Sequence, residues 1–115
     1  MIRKMHARAY RQIQLANDDR LPLINLKFLV RPRHQVEHDF LAEVGLPTVM
    51  DSETDFFSER LDLVDICTPN SSHITYADNA CRIGANIYCE KPLARDLIEA
   101  QLCAAASKNS SSRPA

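Results

Sequence analysis

Asp65-Ile66-Cys67-Thr68-Pro69-Asn70-Ser71-Ser72-His73 and, further along, Ala85-Asn86-Ile87-Tyr88-Cys89-Glu90-Lys91-Pro92 are built alike. In each, a short run rich in apolar residues gives way to polar or charged residues and a proline. Residues 63–67 and 85–89 read as strands, and the proline that follows each cannot donate to a ladder. Between them, Ser71 or Ser72 can cap a helix that runs to Arg82 and stops at Gly84. A strand, a helix and a second strand with short connections make the repeating unit of a parallel sheet covered by helices.

The same alternation extends in both directions. Residues 4–15 suit a helix, with Met5, Ala9 and Ile13 on one face. Asn17 to Pro22 form a polar stop. Residues 24–30 read as a strand ended by Arg31-Pro32-Arg33. Residues 35–44 suit a helix with Val36, Phe40 and Leu41 inward and Gly45 as its stop. Residues 48–50 make a short strand, and residues 52–59 a short helix that Ser52 or Thr54 can cap. On the other side, residues 94–106 suit an Ala- and Leu-rich helix. Residues 107–115 form a Ser-rich tail that reads as disordered. We therefore expect an α/β domain over 1–106 followed by that tail. No internal repeat is present.

The bulk properties exclude several function classes. The chain has 115 residues and a net charge of −1. That length suits one small domain. That charge offers no footprint for nucleic acid or an anionic membrane surface. No apolar run reaches the roughly 20 residues needed to cross a bilayer. The basic start, Met1 to His6, lacks the apolar stretch of a secretory signal. A soluble, cytoplasmic protein is the expectation. The cysteines at 67, 81, 89 and 103 form no C-x-x-C pair, so they read as reduced, mostly buried thiols.

In parallel α/β sheets ligands bind at the carboxyl ends of the strands. Here those ends carry residues 30–33, 67–70 and 89–92. The segments Asp65 to His73 and Cys89-Glu90-Lys91-Pro92-Leu93-Ala94 resemble the family of glucose–fructose oxidoreductase, inositol dehydrogenase and MocA-type proteins. Met5-His6-Ala7-Arg8-Ala9-Tyr10 is similar to that family's first helix, and the likeness spans roughly residues 4 to 106. The resemblance implies a Rossmann-like, doubly wound parallel sheet that binds NAD or NADP. It also implies a sugar, polyol or related hydroxyl compound as substrate, and it leaves room for a homo-oligomer. Thr68, Pro69 and Asn70 would line the nicotinamide ribose and diphosphate region, and His73 would lie near the cofactor. Glu90 and Pro92 belong to the same site, with Glu90 on the cofactor ribose. Lys91 would be the catalytic residue that faces the substrate hydroxyl. The Lys91–Pro92 bond would be cis. Arg31 and Arg33 follow the second strand of such a fold, where arginine accommodates a 2′-phosphate, which favours NADP.

One part of the pattern is absent from these residues. A dinucleotide loop needs G-x-G-x-x-G, but the only glycines are Gly45 and Gly84. Aligned on Met5-His6, Arg3 stands where the third loop glycine belongs, and its Cβ opposes the close approach needed there. We therefore expect an incomplete sheet that lacks the first strand and the glycine-rich loop, a fragment without independent catalysis. Without that strand, strands 24–30 and 63–67 either pair directly or leave two edges open. A non-catalytic remnant, paired with a longer relative or without activity, is the alternative. His34-Gln35-Val36-Glu37-His38 also matches H-x-x-E-H, in which two histidines on one helix face bind zinc and Glu37 acts as base. Asn70-Ser71-Ser72 and Asn109-Ser110-Ser111 match glycosylation acceptors, and both read as chance matches.

Overall fold

The computed structural model describes residues 2–30 and 36–109. Five helices and four strands alternate: α1 (Ile2–Leu15), β1 (Lys27–Leu29), α2 (His38–Glu43), β2 (Thr48–Met50), α3 (Glu53–Ser58), β3 (Leu63–Ile66), α4 (His73–Arg82), β4 (Asn86–Cys89) and α5 (Leu97–Asn109). A single 3-10 turn, Asn70–Ser72, leads into α4. The residues pack as two compact units, Met1–Phe56 and Phe57–Ala115.

In the first unit β1 and β2 run parallel, with Lys27 opposite Thr48 and Leu29 opposite Met50. The strand expected over 24–30 is trimmed because its partner offers only three residues. Val30 adds one further bond, its N–H donating to the Met50 carbonyl at 2.9 Å. Ala7, Phe40 and Val44 are buried together, with Phe28 and Val36 packed against them. This corrects the face assigned to α1. Met5 is 59% exposed, whereas Ala7 is 4% exposed. The small Ala7 permits the close contact, and cationic stems cover the rest of the face. Lys4 Nζ and the Arg8 guanidinium lie 5.3 and 5.7 Å from the centre of the Phe40 ring. Their charges then meet Glu37 and Glu43. Long side chains that bury their methylenes and keep their heads in water can line such a seam.

In the second unit β3 and β4 run parallel, from Leu63 opposite Asn86 to Ile66 opposite Cys89. Val64 and Ile66 point into a core shared with Ala77, Ala80 and Ala85. The alternation is that of a strand with one covered face. Alanines on α4 let the helix lie close to the pair. The strands thus form two two-stranded sheets.

Both glycines stop helices. Gly45 has φ +88° and Gly84 has φ +75°. Behind Gly45, the Leu46 N–H donates to the Leu41 carbonyl and the Gly45 N–H to Ala42. Behind Gly84, the Ala85 N–H donates to Ala80 and the Gly84 N–H to Cys81. These are the paired bonds of the Schellman motif, which needs a left-handed residue where glycine is least strained. Every glycine in this chain is therefore committed to a helix end.

Caps explain the other boundaries. The Ser52 hydroxyl accepts from the Asp55 N–H at 3.2 Å and starts α3. The helix expected from residue 94 begins at Leu97 instead. Asp96 Oδ1 accepts from the Glu99 N–H at 2.9 Å, and Glu99 reaches back to the Arg95 N–H at 3.0 Å. That reciprocal arrangement, close to a capping box, fixes the first turn. At its other end α5 continues to Asn109, so residues 107–109 are helical rather than part of a disordered tail. No helix among the described residues is long and apolar enough to cross a membrane.

Candidate functional site

The chemistry expected from the sequence gathers at the carboxyl ends of β3 and β4. The two strands are neighbours, and the Glu90 N–H donates to the Ile66 carbonyl at 2.9 Å just beyond the ladder. The loops that follow them therefore start side by side. Thr68, Pro69, Lys91 and Pro92 are exposed there, while Asn70 and Glu90 are half-buried. The Lys91–Pro92 peptide is cis.

The loop after β3 is held by its own hydroxyls. Ser72 Oγ donates to the Pro69 carbonyl at 2.8 Å, and the Ser72 N–H donates to the same carbonyl at 3.0 Å. Thr68 Oγ1 lies 2.6 Å from Ser72 Oγ. The single Ser72 proton is committed to Pro69, so Thr68 is the donor in that pair. Thr68 is left with free lone pairs and offers a ligand an acceptor. Ser72 had been a candidate helix cap, but it makes no side-chain bond to the start of α4. Its hydroxyl shapes the turn instead. The local spacing of hydroxyls four residues apart was the available signal for this role, as an ST-type turn.

His73 is 1% exposed. Its Nε2 lies 2.8 Å from the Thr68 carbonyl oxygen and its Nδ1 3.0 Å from the Leu93 carbonyl oxygen. It is thus placed beneath the two loops, with both nitrogens engaged, rather than on their outer surface.

The thiols nearby are protected. Cys67 Sγ donates to Asp65 Oδ1 at 3.2 Å. Burial, and then that bond and the Asp65 charge, push the Cys67 thiol up to about 12. Burial likewise raises Cys89, helped by Cys103, Asp65 and Glu90, and it raises Cys103. All three stay protonated and unreactive at neutral pH.

Other expected residues fall elsewhere. Arg31, Arg33 and His34 lie outside the described residues. Glu37 is extended, at φ −71° and ψ 136°, and α2 begins only at His38. The zinc reading needed residues 34–38 on one helix, with Glu37 free as a base. Glu37 is not helical, and it pairs with Lys4 at 3.4 Å. The cap position explains this, because the chain turns into the helix there. A depression of about 180 Å³ in the first unit is lined by Gln14, Ile24, Leu26, Gly45 and Pro47 among others. It lies at the amino ends of β1 and β2, the end opposite to ligand sites in such sheets. None of the expected site residues lines it.

Residues 1–113 match the family described as "Oxidoreductase family, NAD-binding Rossmann fold". The chain belongs to this family. Oxidoreductase P35 of Formosa agariphila is 40% identical over 53 residues, which cover 46% of this chain and 16% of that protein. An NAD binding oxidoreductase from Klebsiella pneumoniae has a TM-score of 0.77 at 27% identity, over 94% of this chain and 29% of that one. Levoglucosan dehydrogenase in complex with NADH has a TM-score of 0.81 at 23% identity, over 96% of this chain and 30% of that one. The latter shares the fold. The chain spans under a third of the length of each of these relatives.

Proposed function

We propose that the loops after β3 and β4 form the nicotinamide-side wall of an NAD(P) site, in an oxidoreductase that acts on a hydroxyl of a sugar, polyol or related compound. The observation that carries this reading is the side-by-side exit of Thr68–Asn70 and Glu90–Pro92 from two neighbouring parallel strands. The family is NAD-binding, and a solved relative of the same fold holds NADH. The residues suit the nicotinamide ribose. Thr68 offers an acceptor to a ribose hydroxyl, Asn70 a second polar group, and exposed Pro69 and Pro92 a rigid apolar surface. In this reading the Glu90 carboxylate accepts from a ribose hydroxyl. When bound, the dinucleotide supplies the hydride acceptor. In this reading Lys91 hydrogen-bonds the substrate hydroxyl and takes up or returns its proton as the carbonyl forms. Arg31 and Arg33 favour NADP over NAD by offering charge to a 2′-phosphate.

These 115 residues contain no glycine-rich phosphate cradle, because Gly45 and Gly84 end helices. We therefore propose that the polypeptide 1–115 has no dehydrogenase turnover of its own. Titration of it with NADH and NADPH, followed by nicotinamide fluorescence, tests the site. Saturable binding that weakens in Thr68→Val supports it. No binding of either cofactor favours the non-catalytic alternative. Reduction of NAD(P) by the pure chain with any sugar or polyol would refute the proposed lack of turnover.

A further inference from the structure

A serine just before a helix ordinarily turns its hydroxyl to the first N–H groups of that helix. Ser72 stands in that place before α4 and makes no such bond. Its Oγ donates instead to the Pro69 carbonyl at 2.8 Å, and the Ser72 N–H donates to the same oxygen at 3.0 Å. The proline ring holds φ of that residue at −56°, so the acceptor sits on a stiff piece of backbone. A hydroxyl has one proton to give, and a carbonyl oxygen has none. The Ser72 proton therefore goes to Pro69, and Ser72 meets Thr68 with a lone pair. Thr68 Oγ1, 2.6 Å away, supplies the proton of that contact.

The direction of this relay decides what Thr68 can recognise. Thr68 is exposed at the carboxyl end of β3, where a ligand can reach it. With its proton committed to Ser72, it has only lone pairs to offer. A ribose hydroxyl brings a proton and makes a bond. A diphosphate oxygen at neutral pH brings none and would set lone pair against lone pair. We propose that Ser72 is a positioning residue that fixes the rotamer and the proton of Thr68. It thereby makes the start of the Thr68–Asn70 loop selective for a hydroxyl of the nicotinamide ribose over a diphosphate oxygen. Ser72 itself does not touch the cofactor. The selectivity rests on the reading that the loops after β3 and β4 hold NAD(P), whereas the relay from Thr68 through Ser72 to Pro69 does not.

The relay is tested on the whole chain without any ligand. In 13C,15N-labelled protein, three-bond couplings from the Thr68 methyl carbon to its own backbone nitrogen and carbonyl carbon read the χ1 rotamer. A single rotamer is expected in the wild type, and averaging over staggered wells in Ser72→Ala. Ser72→Thr, which keeps the hydroxyl, should keep the single rotamer. Averaging in the wild type or in Ser72→Thr, or a single rotamer retained in Ser72→Ala, would overturn the positioning role. NADH titration forms a separate arm. Thr68→Val should weaken binding roughly fivefold, the equivalent of one net hydrogen bond. Ser72→Ala should cause part of that loss, and the double variant should bind no more weakly than Thr68→Val alone, because both act through one contact. Losses that multiply, or no loss in Ser72→Ala, would overturn the link between Ser72 and the ligand. With an NADH analogue whose nicotinamide ribose is 2′,3′-dideoxy, Thr68→Val should have no effect. A retained fivefold effect would place Thr68 on the diphosphate and overturn the selectivity. If the wild type binds no NADH while Ser72 still locks Thr68, the cofactor reading fails and the relay stands.

Discussion

Shortening Ile66 to alanine should destabilise the second unit by about 3 kcal/mol. Ile66 is 2% exposed, at the end of β3, and its neighbours in the core are Val64, Ala77, Ala80 and Ala85. Three carbons are removed, at about 0.8 kcal/mol each, which makes about 2.4 kcal/mol from lost burial. The alanines around the site cannot swing in to fill the space, so a cavity cost adds to that figure. A unit of this size has a total stability of only roughly 3–9 kcal/mol, so the loss should be large against the whole. Urea unfolding followed by far-UV circular dichroism measures it, with the slope expected to stay constant. Ile66→Val should cost about 1 kcal/mol. Leu63→Ala, on the same strand but 46% exposed, should cost less than about 0.5 kcal/mol. A loss under about 1 kcal/mol for Ile66→Ala, or equal losses at 63 and 66, would refute the placement of the core on the α4 side of β3.

Gly84→Ala forces a Cβ into a residue at φ +75° and should cost about 1–2 kcal/mol in the same unfolding assay. Asp96→Ala removes the cap of α5 and should cost about 1 kcal/mol, with Asp96→Asn nearly neutral by the same measurement. Thr68→Val should weaken NADH binding about fivefold, the equivalent of one net hydrogen bond, as read by fluorescence titration. The Cys67 thiol, held near 12, should resist iodoacetamide at pH 8 in the folded chain and react quickly in urea. The sign of its pH effect follows from the same shift. The folded state keeps the proton while the unfolded thiol loses it, so the stabilisation is full below about pH 8.5 and is lost as pH rises towards 12. Urea midpoints that rise over that interval would contradict it.

Much of the layout was legible in the sequence because it depends on local chemistry. The alternation of helix and strand, the polar turns after residues 66 and 89, and the use of Gly45 and Gly84 as stops each follow from a few adjacent residues. The scarcity of glycine was likewise a matter of counting, and with it the absence of a phosphate cradle from these residues. What only the tertiary structure decided depends on partners distant in the chain. The length of β1 was set by the three residues of β2. The buried face of α1 was set by Phe40 and by the cations that flank it, not by the Met5-Ala9-Ile13 stripe. The start of α5 was moved by the side-chain exchange between Arg95, Asp96 and Glu99, which a propensity reading of an Ala-rich helix overlooks. His73 shows the difference most plainly. By sequence His73 is only a helix-start residue that the resemblance puts near the cofactor, and its burial against Thr68 and Leu93 arises only once β3 and β4 lie side by side. Local rules fix backbone conformation one turn at a time. Parallel pairing brings residues some twenty positions apart together, and the loops of the candidate site exist as one wall only through that pairing.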